Sequence, residues 1–248
     1  MIKKVFIGAA FLLLSASIIQ PVSAQSIIPQ PESITRQQGT FTLAKGLQGV
    51  TNLKGEAFKI LNQYTSDIMS IPFSSVKNPA ADAPLRLICT GTAQEAAMAA
   101  DSVSLQGYEL NVTPTAVTIQ ARTPMGLFYG LQTLRQLEQD RQIPCVKITD
   151  TPRFAYRGLM IDCSRHFWWK DEIKKQLDAM AYFKLDRFHW HLTDGGGWRM
   201  EVKQYPRLTE ETAYRTESDW TKWWNRKNRQ YSPDPDRLVC WKGMNIHG

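Results

Sequence analysis

The sequence predicts two folded parts in series: an α+β domain over residues 25–149, then the start of a parallel β/α architecture from residue 150 to about 230. Three observations carry this. Strand-period and helix-period segments are mixed in the first part, "TDTPRF" at 149–154 punctuates the chain, and strand, helix and strand patterns then follow at βαβ spacing.

The order begins with "MIKKVFIGAAFLLLSASIIQPVSAQ": two lysines, an apolar run from Val5 to Ile19, and a small-x-small ending at Ala24. This pattern reads as a secretory signal peptide over residues 1–24, so the mature chain is expected to be exported, periplasmic or extracellular. No later apolar run approaches the roughly 18 residues of a membrane span. Next, "IIPQPESITRQQGTFTL" has prolines at 29 and 31 and then alternation, which predicts an extended strand. Ala57, Ile60, Leu61, Tyr64 and Ile68 follow helical spacing. "PLRLICT" alternates as a strand, and "GYELNVTPTAVTIQA" places alternating apolar residues either side of a Pro114 turn, predicting a hairpin. Thr123 and Pro124 read as N-cap and first residue of a helix with a Leu127, Leu131 and Leu134 stripe.

Beyond the boundary, "RGLMIDCSR" is apolar on successive positions, as expected of a parallel strand buried on both faces. A helix follows, with Asp171 near its start and Ile173, Leu177, Met180 and Ala181 as its stripe. "LDRFHWHLTD" is the next strand, with Phe188, Trp190 and Leu192 on one face and His189, His191 and Thr193 on the other. Polar residues gather at the C-terminal ends of both strands: Asp162, Ser164 and Arg165 on the first, His191, Thr193 and Asp194 on the second. In (β/α) barrels that end carries the active site. The glycines at 195–197 suit a sharp turn or a close approach at the rim of a cleft.

Composition narrows the function. The chain is 248 residues long, 43% hydrophobic and 10% aromatic, which is globular. Its formal charge of +7 falls to +5 without Lys3 and Lys4, leaving 28 basic against 23 acidic side chains. "WNRKNRQ" interleaves aromatic and basic residues, but an exported chain rarely meets nucleic acid, and a solvated face is the better reading. Cys89, Cys145, Cys163 and Cys240 show no regular framework, and their pairing is not readable from sequence.

"TPRFAYRGLMIDCSRHF" and "KLDRFHWHLTDGGGWRMEVKQYPRLTE" resemble the opening of the catalytic barrel of glycoside hydrolase family 20, the β-N-acetylhexosaminidases. The upstream "GYELNVTPTAVTIQARTPMGLFYGLQTLRQL" is similar to the smaller α/β domain that precedes that barrel. The resemblance implies an α+β domain followed by the first two units of an incomplete (β/α)8 barrel. It also implies hydrolysis of terminal, non-reducing β-linked N-acetylhexosamine in glycans or chitooligosaccharides, assisted by the substrate's own acetamido group, without a cofactor. Arg165 matches the arginine that binds sugar hydroxyls, and Asp194 an aspartate that supports the hydrogen-bond network. Where this chain reads "DGGGW", many members read "DDQGW". His191 and Trp198 are further candidates near the sugar.

The family's adjacent Asp-Glu acid pair lies on a later strand, and residues 150–248 hold room for about two of the eight units, so a truncated chain without its catalytic pair is expected. Asp171-Glu172 reads instead as helix N-terminal acid. The tail "YSPDPDRLVCWKGMNIHG" is read as irregular, from a frameshifted or truncated gene. Two alternatives stay open. One is a non-catalytic carbohydrate-binding fragment, with Trp168, Trp169, Trp198, Trp220, Trp223 and Trp224 available for stacking. The other is a metal-dependent barrel hydrolase using His189 and His191, with His247 a weak third ligand. Sugar preference, linkage and oligomeric state are not legible.

Overall fold

The computed structural model describes residues 27–80, 82–213 and 220–225. The signal-peptide reading, the 231–248 tail, Cys240 and His247 lie outside these residues, as do Arg226 to Gln230 of the basic-aromatic stretch.

A seven-stranded mixed sheet forms the first part. Its strands are β1 (Ser33–Thr42), β2 (Gly49–Thr51), β3 (Phe73–Ser75), β4 (Leu85–Cys89), β5 (Tyr108–Val112), β6 (Val117–Ala121) and β7 (Gln142–Asp150), in the order β1-β7-β5-β6-β4-β2-β3. The expected hairpin is β5–β6, antiparallel from Tyr108↔Ala121 to Val112↔Val117. Thr113 closes its turn by bonding Ala116 with both backbone and side chain. β7 lies antiparallel to both β5 and β1. The sequence reading did not single it out, because the adjacent Cys145 and Val146 shift the phase of its alternation; Ile143, Cys145, Val146 and Ile148 are all buried.

Helix α3 (Pro124–Leu137) covers the sheet. Thr123 caps it as expected, its hydroxyl accepting from the Gly126 N–H at 3.2 Å and donating to the Leu105 carbonyl at 2.5 Å. Leu127, Leu131 and Leu134 are fully buried, each contributing roughly 1.5–3 kcal/mol of transfer free energy. The helix sits so close to the sheet that a Cβ on Gly130 would collide with the Ile119 methyl. Helix α1 (Gly55–Met69) is present, but its buried side differs from the expected stripe. Leu61 and Thr65 are buried and Phe58 and Met69 pack against the core, while Ile60 and Ile68 are exposed. Thr65 can replace an aliphatic residue there because its hydroxyl is satisfied by the Asn62 carbonyl. Helix α2 (Ala93–Met98) carries a Thr92/Glu95 capping box.

The second part contains β8 (Gly158–Asp162), α4 (Lys170–Tyr182) and β9 (Arg187–His191), with β8 and β9 parallel and Asp162 opposite His191. This is the expected βαβ order. Asp171 and Glu172 sit in the first turn of α4, where the Glu172 carboxylate accepts from the Trp169 N–H. Two expectations are corrected. β8 is not buried on both faces: Met160 is 53% exposed and no residue of the strand is fully buried. The buried stripe of α4 narrows to Ile173 and Met180, leaving Leu177 exposed. After β9 come two short helices, α5 (Arg207–Glu210) and α6 (Trp220–Asn225). No helix among the described residues is long and apolar enough to cross a membrane.

Candidate functional site at the strand ends

β8 and β9 run side by side, so the residues at and beyond their C-terminal ends converge. Arg165 lies at the centre. Its Nη1 is 2.7 Å from Asp194 Oδ2 and 3.1 Å from Asp162 Oδ2, bridging carboxylates from the two strand ends. The same nitrogen lies 3.3 and 3.4 Å from the two ring nitrogens of His191. The imidazole is itself placed between the carboxylates, with Nδ1 3.3 Å from Asp162 Oδ2 and Nε2 3.4 Å from Asp194 Oδ2. Arg165 and Asp194, singled out from the sequence, are thus direct partners, and His191 joins them.

Asp162 is the member of the cluster that sequence reasoning noted only as a polar strand end. Its Oδ1 accepts from the backbone N–H groups of Ser164 and Arg165, both at 2.9 Å. This Asx-type turn folds the chain back at the end of β8 and aims Arg165 across at Asp194. Partial burial works against its ionised form, but these two backbone donors, together with Arg165 and His191, hold its carboxyl below the ordinary range. The Asp194 carboxyl is also lowered, chiefly by the Gly195 N–H at 2.5 Å and then by Arg165 and His191. Both carboxylates are therefore charged at neutral pH.

The glycine run has a partial explanation. Asp194 and Gly197 pair backbone to backbone, closing a tight turn. A Cβ on Gly197 would lie 2.5 Å from Arg199 Nη2. Arg199 is buried; its Nε donates to the Cys163 carbonyl at 3.1 Å and its Nη1 to the Ala213 carbonyl. It fastens the loop after β9 to the end of β8. Gly195 faces open space.

Trp198 is held by its indole N–H to the Met200 carbonyl and by its backbone N–H to the Thr212 carbonyl, rather than by the Arg165 cluster. Trp169 and Trp224 are exposed. His189 shares the His191 face, with ring centroids 6.2 Å apart, and is exposed. Among the described residues no group of three or more His, Cys, Asp or Glu side chains is arranged to hold a metal ion. Cys89, Cys145 and Cys163 are free thiols.

A parallel βαβ unit that gathers an arginine and carboxylates beyond its carboxyl end has the arrangement in which α/β proteins place their sites. Two family models match: "Glycosyl hydrolase family 20, domain 2" over residues 24–151 and "Glycosyl hydrolase family 20, catalytic domain" over residues 154–239. The chain belongs to glycosyl hydrolase family 20. It is 46% identical over 129 residues to a beta-hexosaminidase of Porphyromonas gingivalis, a match spanning 48% of this chain and 17% of that protein. A beta-hexosaminidase of Vibrio furnissii is 32% identical over 204 residues, spanning 77% of this chain and 30% of that protein. Among solved structures, the exo beta-N-acetylglucosaminidase of Vibrio harveyi in complex with N-acetylglucosamine is similar with a TM-score of 0.61 and 30% identity, over 77% of this chain and 29% of that one. The matches thus span less than a third of the length of these relatives.

Proposed function

We propose that this chain carries the sugar-gripping half of a β-N-acetylhexosaminidase site, in which β8, α4 and β9 are the first two units of a (β/α)8 barrel. The observation that carries the reading is the Arg165 cluster at the strand ends. One cation and two carboxylates offer both donors and acceptors to vicinal hydroxyls, and Arg165, 37% exposed, reaches solvent from between Asp162 and Asp194. The named activities of the relatives, beta-hexosaminidases and an exo beta-N-acetylglucosaminidase solved with N-acetylglucosamine, support a terminal N-acetylhexosamine as the ligand.

In the substrate-assisted route the acetamido oxygen of the sugar acts as the nucleophile, so the protein supplies orientation and a proton donor. Arg165 fixes the ring through its hydroxyls, and Asp162 and Asp194 keep the guanidinium in place. No carboxylate among the described residues is assigned as the proton donor. Asp171 and Glu172 begin α4 rather than ending a strand. Export, read from residues 1–24, completes the proposal and suits an extracellular or periplasmic glycan or chitooligosaccharide.

Titration of the purified chain with N-acetylglucosamine by ligand-observed NMR tests this. Saturable binding near the millimolar range that disappears in Arg165→Ala is expected, about 4 kcal/mol of binding free energy at 1 mM. Equal signals from the wild type and the variant would overturn the assignment of Arg165. Binding without hydrolysis of an aryl N-acetylglucosaminide would favour the non-catalytic carbohydrate-binding reading for this length of chain.

A further inference from the structure

Both parallel strands are anchored to the sheet domain at their N-terminal ends, opposite the sugar site. Arg157, one residue before β8, donates from Nη2 to the Gln106 side-chain oxygen at 2.8 Å. Lys184, three residues before the start of β9, places Nζ 3.0 Å from Asp150 Oδ2 and 2.8 Å from the Tyr108 hydroxyl, over whose ring it also lies. Asp150 is the last residue of β7 and Tyr108 the first of β5. The two anchors are tied to each other, because Arg157 Nε donates to the Lys184 carbonyl at 2.8 Å.

Lys184 is the informative member. Its φ is +60°, in the turn that ends α4, where its N–H bonds the Ala181 carbonyl and the Leu185 N–H bonds the Met180 carbonyl. Glycine or asparagine normally fills such a position, because a side chain there is strained by roughly 1–2 kcal/mol. The same residue is 4% exposed, and lysine is almost never buried unless paired. Strain and desolvation therefore fall on one residue, and what offsets them is contact with the other domain. Observed strain of this kind is a pointer to function.

We infer that Lys184 is an interdomain latch, a positioning residue whose side chain uses Asp150 and Tyr108 of the sheet domain to fix where β9 begins beside β8. The sheet domain then acts as a template for the first barrel strands, holding their N-terminal ends in register so that their C-terminal ends bring Arg165 and Asp194 together. This is independent of whether the site binds a sugar.

Native-state hydrogen exchange on the full chain tests it, in Lys184→Gly, Asp150→Asn and the double variant. Glycine relieves the left-handed strain, so a backbone-only role predicts unchanged or higher protection of β8 and β9 amides. The latch predicts at least a tenfold loss of protection there in Lys184→Gly, with β5–β6 amides unchanged, and Lys184→Arg keeping more protection than Lys184→Gly. It also predicts that Asp150→Asn reproduces the loss and that the double variant adds little to either single one. Full protection in Lys184→Gly, or strict additivity of the two changes, would overturn it. Asp150→Asn keeps the side-chain volume while removing the charge that pairs with Lys184; because the Asp150 carboxylate also accepts from the Tyr108 hydroxyl and the Glu32 N–H, unchanged β5–β6 protection in that variant separates loss of the latch from a loosened sheet domain, even if Lys184→Gly proves too unstable to measure.

Discussion

Replacing Gly197 by alanine tests whether the loop after β9 is fastened through Arg199. The added Cβ would meet Arg199 Nη2 at 2.5 Å, Cζ at 2.7 Å and Nε at 3.2 Å. Restoring van der Waals distance moves the guanidinium by about 1 Å, which breaks its bonds to the Cys163 and Ala213 carbonyls. Hydrogen bonds to charged groups contribute about 1.5–3 kcal/mol each, and water regained by part of the displaced group offsets some of the loss, so a destabilisation of roughly 2–4 kcal/mol is expected. Gly195→Ala is the matched control: its Cβ meets nothing within 4 Å and its φ is not in the left-handed region, so a change within about 0.5 kcal/mol is expected. All eight tryptophans lie at or after Trp168, so their fluorescence reports on the second part of the chain alone. With a urea slope of roughly 1–3 kcal/mol/M, the fluorescence midpoint of Gly197→Ala should fall by about 1 M or more while that of Gly195→Ala stays in place. Equal midpoints for the two variants would refute the reasoning.

Two further outcomes follow from the same geometry. Thr123→Ala removes both the α3 cap and the donor to the buried Leu105 carbonyl, so the sheet domain should lose about 1–2 kcal/mol by circular dichroism, with Thr123→Ser recovering most of it. The Asp162 and Asp194 carboxyls are held below the ordinary carboxylate range in the folded chain, so in the acidic range where an unperturbed aspartate titrates the unfolded chain binds more protons than the native one. Their contribution is complete above about pH 4 and fades as pH falls through the lowered values. The stability gap between wild type and Asp162→Asn should therefore be flat from pH 5 to 8 and shrink below pH 4; a gap that closes between pH 5 and 7 would point to another group.

What could be read from the sequence depended on how local each cause was. The Thr123–Pro124 helix start and the β5–β6 hairpin rest on interactions within a few residues, and both are found where their patterns place them. Arg165 and Asp194 could be paired in advance because parallel strands bring equivalent ends together, and the 2.7 Å ion pair follows from that register. Asp162 was visible only as a polar strand end, since its role as a turn former depends on backbone donors that carry no side-chain signal. The face of α1 was misplaced because the Thr65 hydroxyl is satisfied inside the structure by the Asn62 carbonyl, which an apolar count ignores. Lys184 was invisible for the opposite reason: its partners Tyr108 and Asp150 are 76 and 34 residues away.

The choice of arginine at 165 can be separated from its charge. A single nitrogen, Nη1, bridges Asp162 and Asp194, and the rest of the planar fork is oriented by that anchorage. In Arg165→Lys the lone ammonium can take the bridging place, but its three donors radiate from one point and lack the planar fork that grips two vicinal hydroxyls at once. The expected result is a split: a fluorescence midpoint close to that of the wild type, because the carboxylates stay neutralised, and at least a tenfold weaker affinity for N-acetylglucosamine. Arg165→Ala should fail on both counts, since it leaves two carboxylates and His191 without their cation. If the lysine variant binds as well as the wild type, Arg165 serves only to neutralise its neighbours, and the donor to the sugar has to be sought elsewhere on the strand ends.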